Sequence, residues 1–220
     1  MASKALLYEQ FARVGKALSN PARLMLLELL AQGERGVEEL AATAGMRVSN
    51  VSAQLQALTA AGLAASRREG THVYYRIADD QVAEFVERMK DLARSRLAEA
   101  DRVARDYLGD VDALEPVGLP ELARRAEAGE VTVLDVRPEA EYAAAHVPGA
   151  VNVPYDRLAD AVADLPRDRE IVAYCRGRYC VLAPEAVRRL LDRGYAARVL
   201  DGGLPEWARA GHPVATGAAA

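Results

Sequence analysis

Ten residues, GDVDALEPVG at 109–118, separate two hydrophobic rhythms that do not belong to one sheet or one bundle. Upstream, apolar residues recur every three or four positions, the period of an amphipathic helix. Downstream, short β-rich runs alternate with helical stretches, the pattern of a parallel sheet covered by helices. Gly, Asp and Pro gather between the two, and no apolar stripe crosses them. The 220 residues therefore read as two domains, 1–108 and 119–220, with a linker at 109–118.

In the first half, Leu7, Phe11, Val14 and Leu18 repeat at helical spacing. Ser19-Asn20-Pro21 then offers an N-cap with proline just inside the next helix. The run RLMLLELL (23–30) is too apolar for a surface helix and reads as core. A short helix at Val37–Thr43 and a second at Ser49–Ala60 follow, punctuated by Gly45 and Gly62. The segment LAASRREGTHVYYRI reads as a hairpin turning at Glu69-Gly70. Asp80–Leu108 reads as one long amphipathic helix through Val82, Phe85, Met89, Leu92, Leu97, Ala100, Val103 and Tyr107. Such a helix spans roughly 40 Å at about 1.5 Å per residue. That is more than a domain this small covers, so part of the stripe is expected to meet a second copy.

In the second half, strands are expected at Thr132–Val136, Ala150–Val153, Ile171–Tyr174 and Ala197–Leu200. Helices are expected near Leu119–Ala128, Glu139–Ala145, Tyr155–Ala163, Val181–Arg193 and Leu204–Ala210.

Net charge is −4, but it is unevenly spread. Residues 1–108 carry 15 Lys and Arg against 14 Asp and Glu, and residues 109–220 carry 13 against 18. Arg47–Arg76 holds four arginines and one acid, Glu69, a local basic surface of the kind a DNA-reading module needs. No apolar run approaches the length of a membrane span. The N-terminus lacks the order of a secretion signal, so a cytoplasmic location and reduced thiols are expected.

Three short helices followed by a hairpin describe a winged helix-turn-helix. The segment LSNPARLMLLELLAQGERGVEELAATAGMRVSNVSAQLQALTAAGLAASRREGTHVYYRI closely resembles the ArsR/SmtB family of bacterial repressors, over roughly residues 5–105. On the Ser49–Ala60 helix, Val51, Leu55 and Leu58 face the core. Ser49, Asn50, Ser52, Gln54 and Gln56 remain for base edges or phosphates in a major groove. Arg47 precedes that helix, and Arg67, Arg68 and His72 surround the wing turn, suited to backbone or minor-groove contact. The resemblance implies double-stranded operator DNA as partner and a homodimer through the first helix and the Asp80–Leu108 helix. It also exposes a gap. Relatives that sense metals carry cysteines or histidines in this domain, whereas residues 1–108 have no cysteine and a single histidine, His72. No metal and no cofactor are expected, and the signal must enter elsewhere.

The whole chain has two cysteines, Cys175 and Cys180, both in YCRGRYC at 174–180. The flanking runs VTVLDVRPEAEYAAAHVPGAVNVP and LDGGLPEWARAGHPV resemble the rhodanese, or sulfurtransferase, domain over about residues 117–215. The resemblance places the active loop between a strand ending at Cys175 and a helix opening at Val181. Loop N–H groups, the helix N-terminus, Arg176 and Arg178 would favour a thiolate at Cys175, which would accept a sulfane sulfur as a persulfide. Gly177 and Tyr179 complete the loop. Asp135 and Arg137 match the DxR motif and are expected to brace it.

Cys180 departs from that family, which more often ends this loop in Arg, Thr or Ser. It could resolve a persulfide on Cys175, bridge to it, or merely fill space. Bridging requires the Cα atoms to lie within about 7 Å. The first expectation is a two-domain repressor, mainly α then α/β, that senses a sulfane-sulfur donor or an oxidant through Cys175 and Cys180. A sulfurtransferase with secondary DNA binding is the alternative, and an arsenite-responsive repressor a weaker one.

Overall fold

A computed structural model of the chain describes residues 3–218. They form two compact units, Met1–Leu92 and Ala93–Ala220.

The first unit opens with α1 (Lys4–Leu18) and α2 (Pro21–Leu30). Asn20 caps α2, its side chain accepting the Arg23 N–H at 3.2 Å, and Pro21 takes the first helical position, where a missing N–H costs nothing. A two-residue strand, β1 (Arg35–Gly36), leads into α3 (Val37–Ala44) and α4 (Val48–Ala60). The hairpin β2 (Ala64–Glu69) and β3 (His72–Ile77) pairs Ser66 with Tyr75 and Glu69 with His72 across Gly70-Thr71. Strand β1 adds to the other side of β3, giving the order β1-β3-β2. The core joins Leu26, Leu27 and Leu30 of α2, Leu40 of α3, and Val51, Leu55 and Leu58 of α4. RLMLLELL is not uniformly buried, for Met25 stays about half exposed.

The helix expected over Asp80–Leu108 is two helices, α5 (Asp80–Arg96) and α6 (Ala98–Leu108). Leu97 breaks it by taking an extended conformation, φ −114° and ψ 98°. Residues seven apart lie about 10 Å apart along a straight helix, yet Arg94 and Asp101 pair at 3.2 Å, so this ion pair favours the bend. Asp101 also pairs with Arg105 at 3.1 Å.

The second unit holds a four-stranded parallel sheet in the order β5-β4-β6-β7. Its strands are β4 (Val131–Asp135), β5 (Val151–Asn152), β6 (Glu170–Cys175) and β7 (Ala197–Gly203). Helices α7 (Leu119–Glu127), α8 (Glu139–Ala144), α9 (Leu158–Ala161), α10 (Leu182–Asp192) and α11 (Leu204–Arg209) connect and cover them. Two apolar clusters, one around Leu134, Ala173 and Val187 and one around Val133, Val172 and Trp207, contain alternate residues of the same strands. Alternate side chains of a strand point to opposite faces, so the sheet is buried on both.

Segment 109–118 is packed rather than free. Asp112–Leu114 forms a 3-10 turn, Leu114 and Val117 are buried, and Val117 bonds along β7 to Val199 and Asp201 at 2.8 Å each. Its apolar residues take their partners from the sheet, so the segment belongs to the second unit. No helix among the described residues is long and apolar enough to cross a membrane.

Leu55 has no exposed surface and sits at the centre of the first unit's core. Leu55→Ala is expected to cost about 2–5 kcal/mol, seen in urea unfolding as an earlier transition of that unit.

Candidate functional site

Two sets of residues bear on function, one in each unit. On α4, Arg47, Ser49, Asn50 and Gln56 are exposed, while Ser52 and Gln54 are half-buried. Gln54 is tied down. Its amide donates to Asn50 Oδ1 at 3.1 Å and its oxygen accepts from Arg23 of α2 at 3.4 Å. On the wing, Arg67 pairs with Glu34 and Glu69 and lies over the Tyr74 ring at 4.7 Å. The hydrogen bonds to Glu34 and Glu69 push its pKa above the usual guanidinium range. A DNA phosphate would have to displace those carboxylates, so Arg67 is less ready for DNA than exposed Arg47. Arg68 and His72 are exposed beside it, Arg68 bonding the Gly70 carbonyl at 3.2 Å.

In the second unit, Cys175 closes β6 at its C-terminal end, where open parallel sheets gather their ligands. The chain then turns sharply, the Cys180 N–H bonding Gly177 O at 3.0 Å, and enters α10 two residues later. Both thiols are free and nearly sealed, Cys175 at 1% and Cys180 at 8% exposure. Cys175 Sγ donates to Cys180 O at 3.4 Å, and the two side chains share a hydrogen bond.

That geometry acts on the two thiols unequally. Burial pushes the Cys175 thiol well up, and the neighbouring Cys180 sulfur adds to the effect. N–H groups of Ala183 and Gly177 reach Cys175 but do not outweigh burial. Cys180 is lowered to about 7, chiefly by the hydrogen bond from Cys175, with help from the N–H groups of Leu182 and Arg176 and the Arg176 charge. Burial and the hydrogen bond between them thus push the two thiols in opposite directions, Cys175 up and Cys180 down.

The loop is braced by residues that the sequence did not single out. Glu141 of α8, 1% exposed, holds Arg176 through three contacts between 2.6 and 3.0 Å. Glu206 of α11 accepts the Gly203 N–H at 2.8 Å and the Arg178 N–H at 3.4 Å, while Asp201 pairs with the Arg178 side chain at 3.2 Å. Their signal in the sequence was an acid inside each otherwise apolar motif, in AEY and in GGLPEW. The DGG run has a steric reason. Gly203 lies beside Cys175 on the neighbouring strand, and a Cβ there would overlap the backbone of Cys175 and Gly177. Gly177 itself sits at φ +154°, which glycine tolerates. Tyr179 is half-buried at the edge of an adjoining cleft.

Asp135 and Arg137 act one step further back. They form a fully buried pair at 2.6 Å. Asp135 also accepts the Tyr174 hydroxyl at 2.5 Å, and that hydroxyl accepts the Val147 N–H at 3.0 Å. The pair thus fixes Tyr174, the residue before Cys175. His146 stacks on Tyr142 at 3.7 Å, and Trp207 bonds Pro213 O at 2.8 Å, both structural roles. Among the described residues no cluster of three or more His, Cys, Asp and Glu is arranged to hold a metal.

A winged helix-turn-helix and an α/β domain with a four-stranded parallel sheet thus share one chain, and comparison with known proteins agrees unit by unit. Residues 20–66 match the family described as bacterial regulatory protein, arsR family, and residues 119–210 match the rhodanese-like domain. The HTH-type transcriptional regulator Rv0324 of Mycobacterium tuberculosis is 52% identical over 215 residues, covering 98% of this chain and 94% of that one. A sulfurtransferase of Allochromatium vinosum is 34% identical over 93 residues, 41% of this chain and 84% of that protein. The solution structure of a homodimeric winged helix-turn-helix DNA-binding domain from Mycobacterium bovis is 50% identical, covering 44% of this chain and 94% of that one, with a TM-score of 0.41. The chain belongs to the ArsR family of transcriptional regulators and carries a C-terminal rhodanese-like domain.

Two outcomes follow from the site. Alkylation by a small reagent should rise with pH and reach half its maximum near 7, following Cys180, and Cys180→Ser should remove that step in a stopped-flow pH profile. Arg137→Ala leaves Asp135 buried and unpaired, so thermal unfolding should show a loss of about 3–5 kcal/mol.

Proposed function

We propose that the protein is a homodimeric repressor whose grip on operator DNA is set by sulfur or redox chemistry at Cys175 and Cys180. The observation that carries this reading is the pairing of the chain's two thiols, hydrogen-bonded to each other inside one loop. A persulfide on either sulfur would have a nucleophile beside it, and attack by that nucleophile would convert two thiols into one bridge. The loop is nearly sealed, so a bridge changes its packing and not only its charge.

The dimer rests on apolar residues left in solvent. Leu6, Leu7, Tyr8 and Phe11 on α1, and Phe85 and Leu92 on α5, are about half exposed or more. So large an exposed apolar surface is unusual on a monomer and suits a second copy. Two α4 helices would then read a two-fold symmetric operator, with half-sites about one helical turn apart. Arg47, Ser49, Asn50, Ser52, Gln54 and Gln56 supply the contacts on α4, and Arg68 and His72 those on the wing, joined by Arg67 once its carboxylates let go.

Sulfur transfer as a turnover activity ranks behind regulation. Both sulfurs are nearly inaccessible, which suits a slow switch better than repeated exchange with a bulky acceptor.

Operator binding is measured on a DNA fragment selected from a random pool, using fluorescence anisotropy before and after a sulfane-sulfur donor. Affinity should fall by up to about 100-fold, about 2.7 kcal/mol, and Cys175→Ser should abolish the response. Equal affinity in both states would reject the reading. Separately, Phe11→Glu should shift the sedimenting species from dimer to monomer.

A further inference from the structure

Arg176 and Leu182 line a cavity of about 320 Å³ with Val136, Pro138 and Tyr155, and neither cysteine is among its walls. The cavity that both cysteines line is far smaller, about 40 Å³. Its inner wall is apolar, built from Val111, Ala183, Pro184 and Val199. Arg178 and Asp201 belong to its wall and also to that of an open cleft of about 840 Å³. Their ion pair, at 3.2 Å, stands where the two spaces meet.

Size and polarity together limit what can reach the sulfurs. One water needs about 10–15 Å³ of such space, so the cavity admits on the order of three water-sized groups. Neutral, polarisable sulfur atoms suit the apolar part of its wall. A peptide-sized thiol does not fit without unfolding the loop.

We propose that this cavity is a receptacle for sulfur atoms: it selects inorganic polysulfide over organic persulfides and stores one sulfur as a trisulfide between Cys175 and Cys180. The proposal rests on the thiol-sensing reading of the loop and names its substrate class.

The chemistry balances with hydrogen trisulfide as the reagent. The thiolate of one cysteine attacks the central sulfur of H–S–S–S–H, breaks one S–S bond and expels hydrosulfide. This leaves a cysteine carrying two extra sulfurs. The released hydrosulfide takes the proton of the second cysteine, whose thiolate then attacks the first of those sulfurs, breaks the outer S–S bond and expels a second hydrosulfide. Each cysteine sulfur loses one electron, and each terminal sulfur of the reagent gains one. The central sulfur remains between the two Sγ atoms.

The test uses the reduced full-length chain with sodium polysulfide or glutathione persulfide at equal sulfane sulfur, followed by intact mass and operator anisotropy on the same samples. Polysulfide should add one sulfur and remove two hydrogens. Cys180→Ser should add sulfur without losing hydrogen beyond the exchange. Glutathione persulfide should react at least about tenfold more slowly, and Val111→Ala, which widens the cavity at a half-buried wall, should narrow that gap. Equal rates with the two donors, a glutathione adduct, or loss of two hydrogens with no sulfur gained would each overturn the receptacle. If glutathione persulfide reacts as fast and still releases the operator, the receptacle falls and the sensor stands. If the trisulfide forms and operator affinity stays unchanged, the receptacle stands and the sensor falls.

Discussion

Two sulfur atoms share one buried hydrogen bond, and the second unit is built to keep them there. Cys175 is placed by the sheet, and Cys180 by the turn its N–H closes onto Gly177 O just before α10. Burial alone would keep both thiols protonated. The hydrogen bond from Cys175, the N–H groups of Leu182 and Arg176 and the Arg176 charge instead bring Cys180 down to about 7, while burial holds Cys175 well up. A thiolate and a thiol held side by side are the two partners that bridge formation needs.

The supports around that pair are charged groups, buried at Glu141 and Asp135 and exposed at Arg178 and Asp201. Glu141 takes Arg176, Asp201 takes the Arg178 side chain, and Glu206 takes the Arg178 N–H. Behind them Asp135 and Arg137 hold Tyr174 through a pair with no exposed surface. Such pairs add little net stability compared with apolar packing, but removing one partner is costly. The arrangement therefore fixes geometry more than it adds stability. Modification of the sulfurs would strain a loop whose two arginines are already committed, which is how a local change acquires leverage.

Much of this was legible in the residues. The 4-then-3 spacing of Val51, Leu55 and Leu58 identified the buried face of α4, and each has no exposed surface. Asn20-Pro21 marked the start of α2, and the hairpin appeared at Glu69-Gly70 with one further residue in its turn. Strand β1 escaped because two residues carry no period. The break at Leu97 escaped because neither glycine nor proline stands there, and the ion pair across the bend exists only once the chain has bent. Segment 109–118 reads as a linker from its Gly, Asp and Pro, yet Leu114 and Val117 find partners only in the folded sheet. The surroundings of the thiols were out of reach for a similar reason. Sequence shows helix starts and arginines, whereas burial, the carbonyl beside Cys175 and the Glu141 that occupies Arg176 are products of the fold.

Coupling between sulfur state and DNA must be reciprocal, because both are equilibria of one molecule. The most direct measurement sets the protein in a defined mixture of polysulfide and sulfide and determines the bridged fraction by mass, with and without saturating operator DNA. Operator should shift the midpoint of bridging toward more polysulfide, by the same factor by which bridging weakens operator affinity. A bridging midpoint that does not move when operator is added would contradict the account, however readily the two cysteines react.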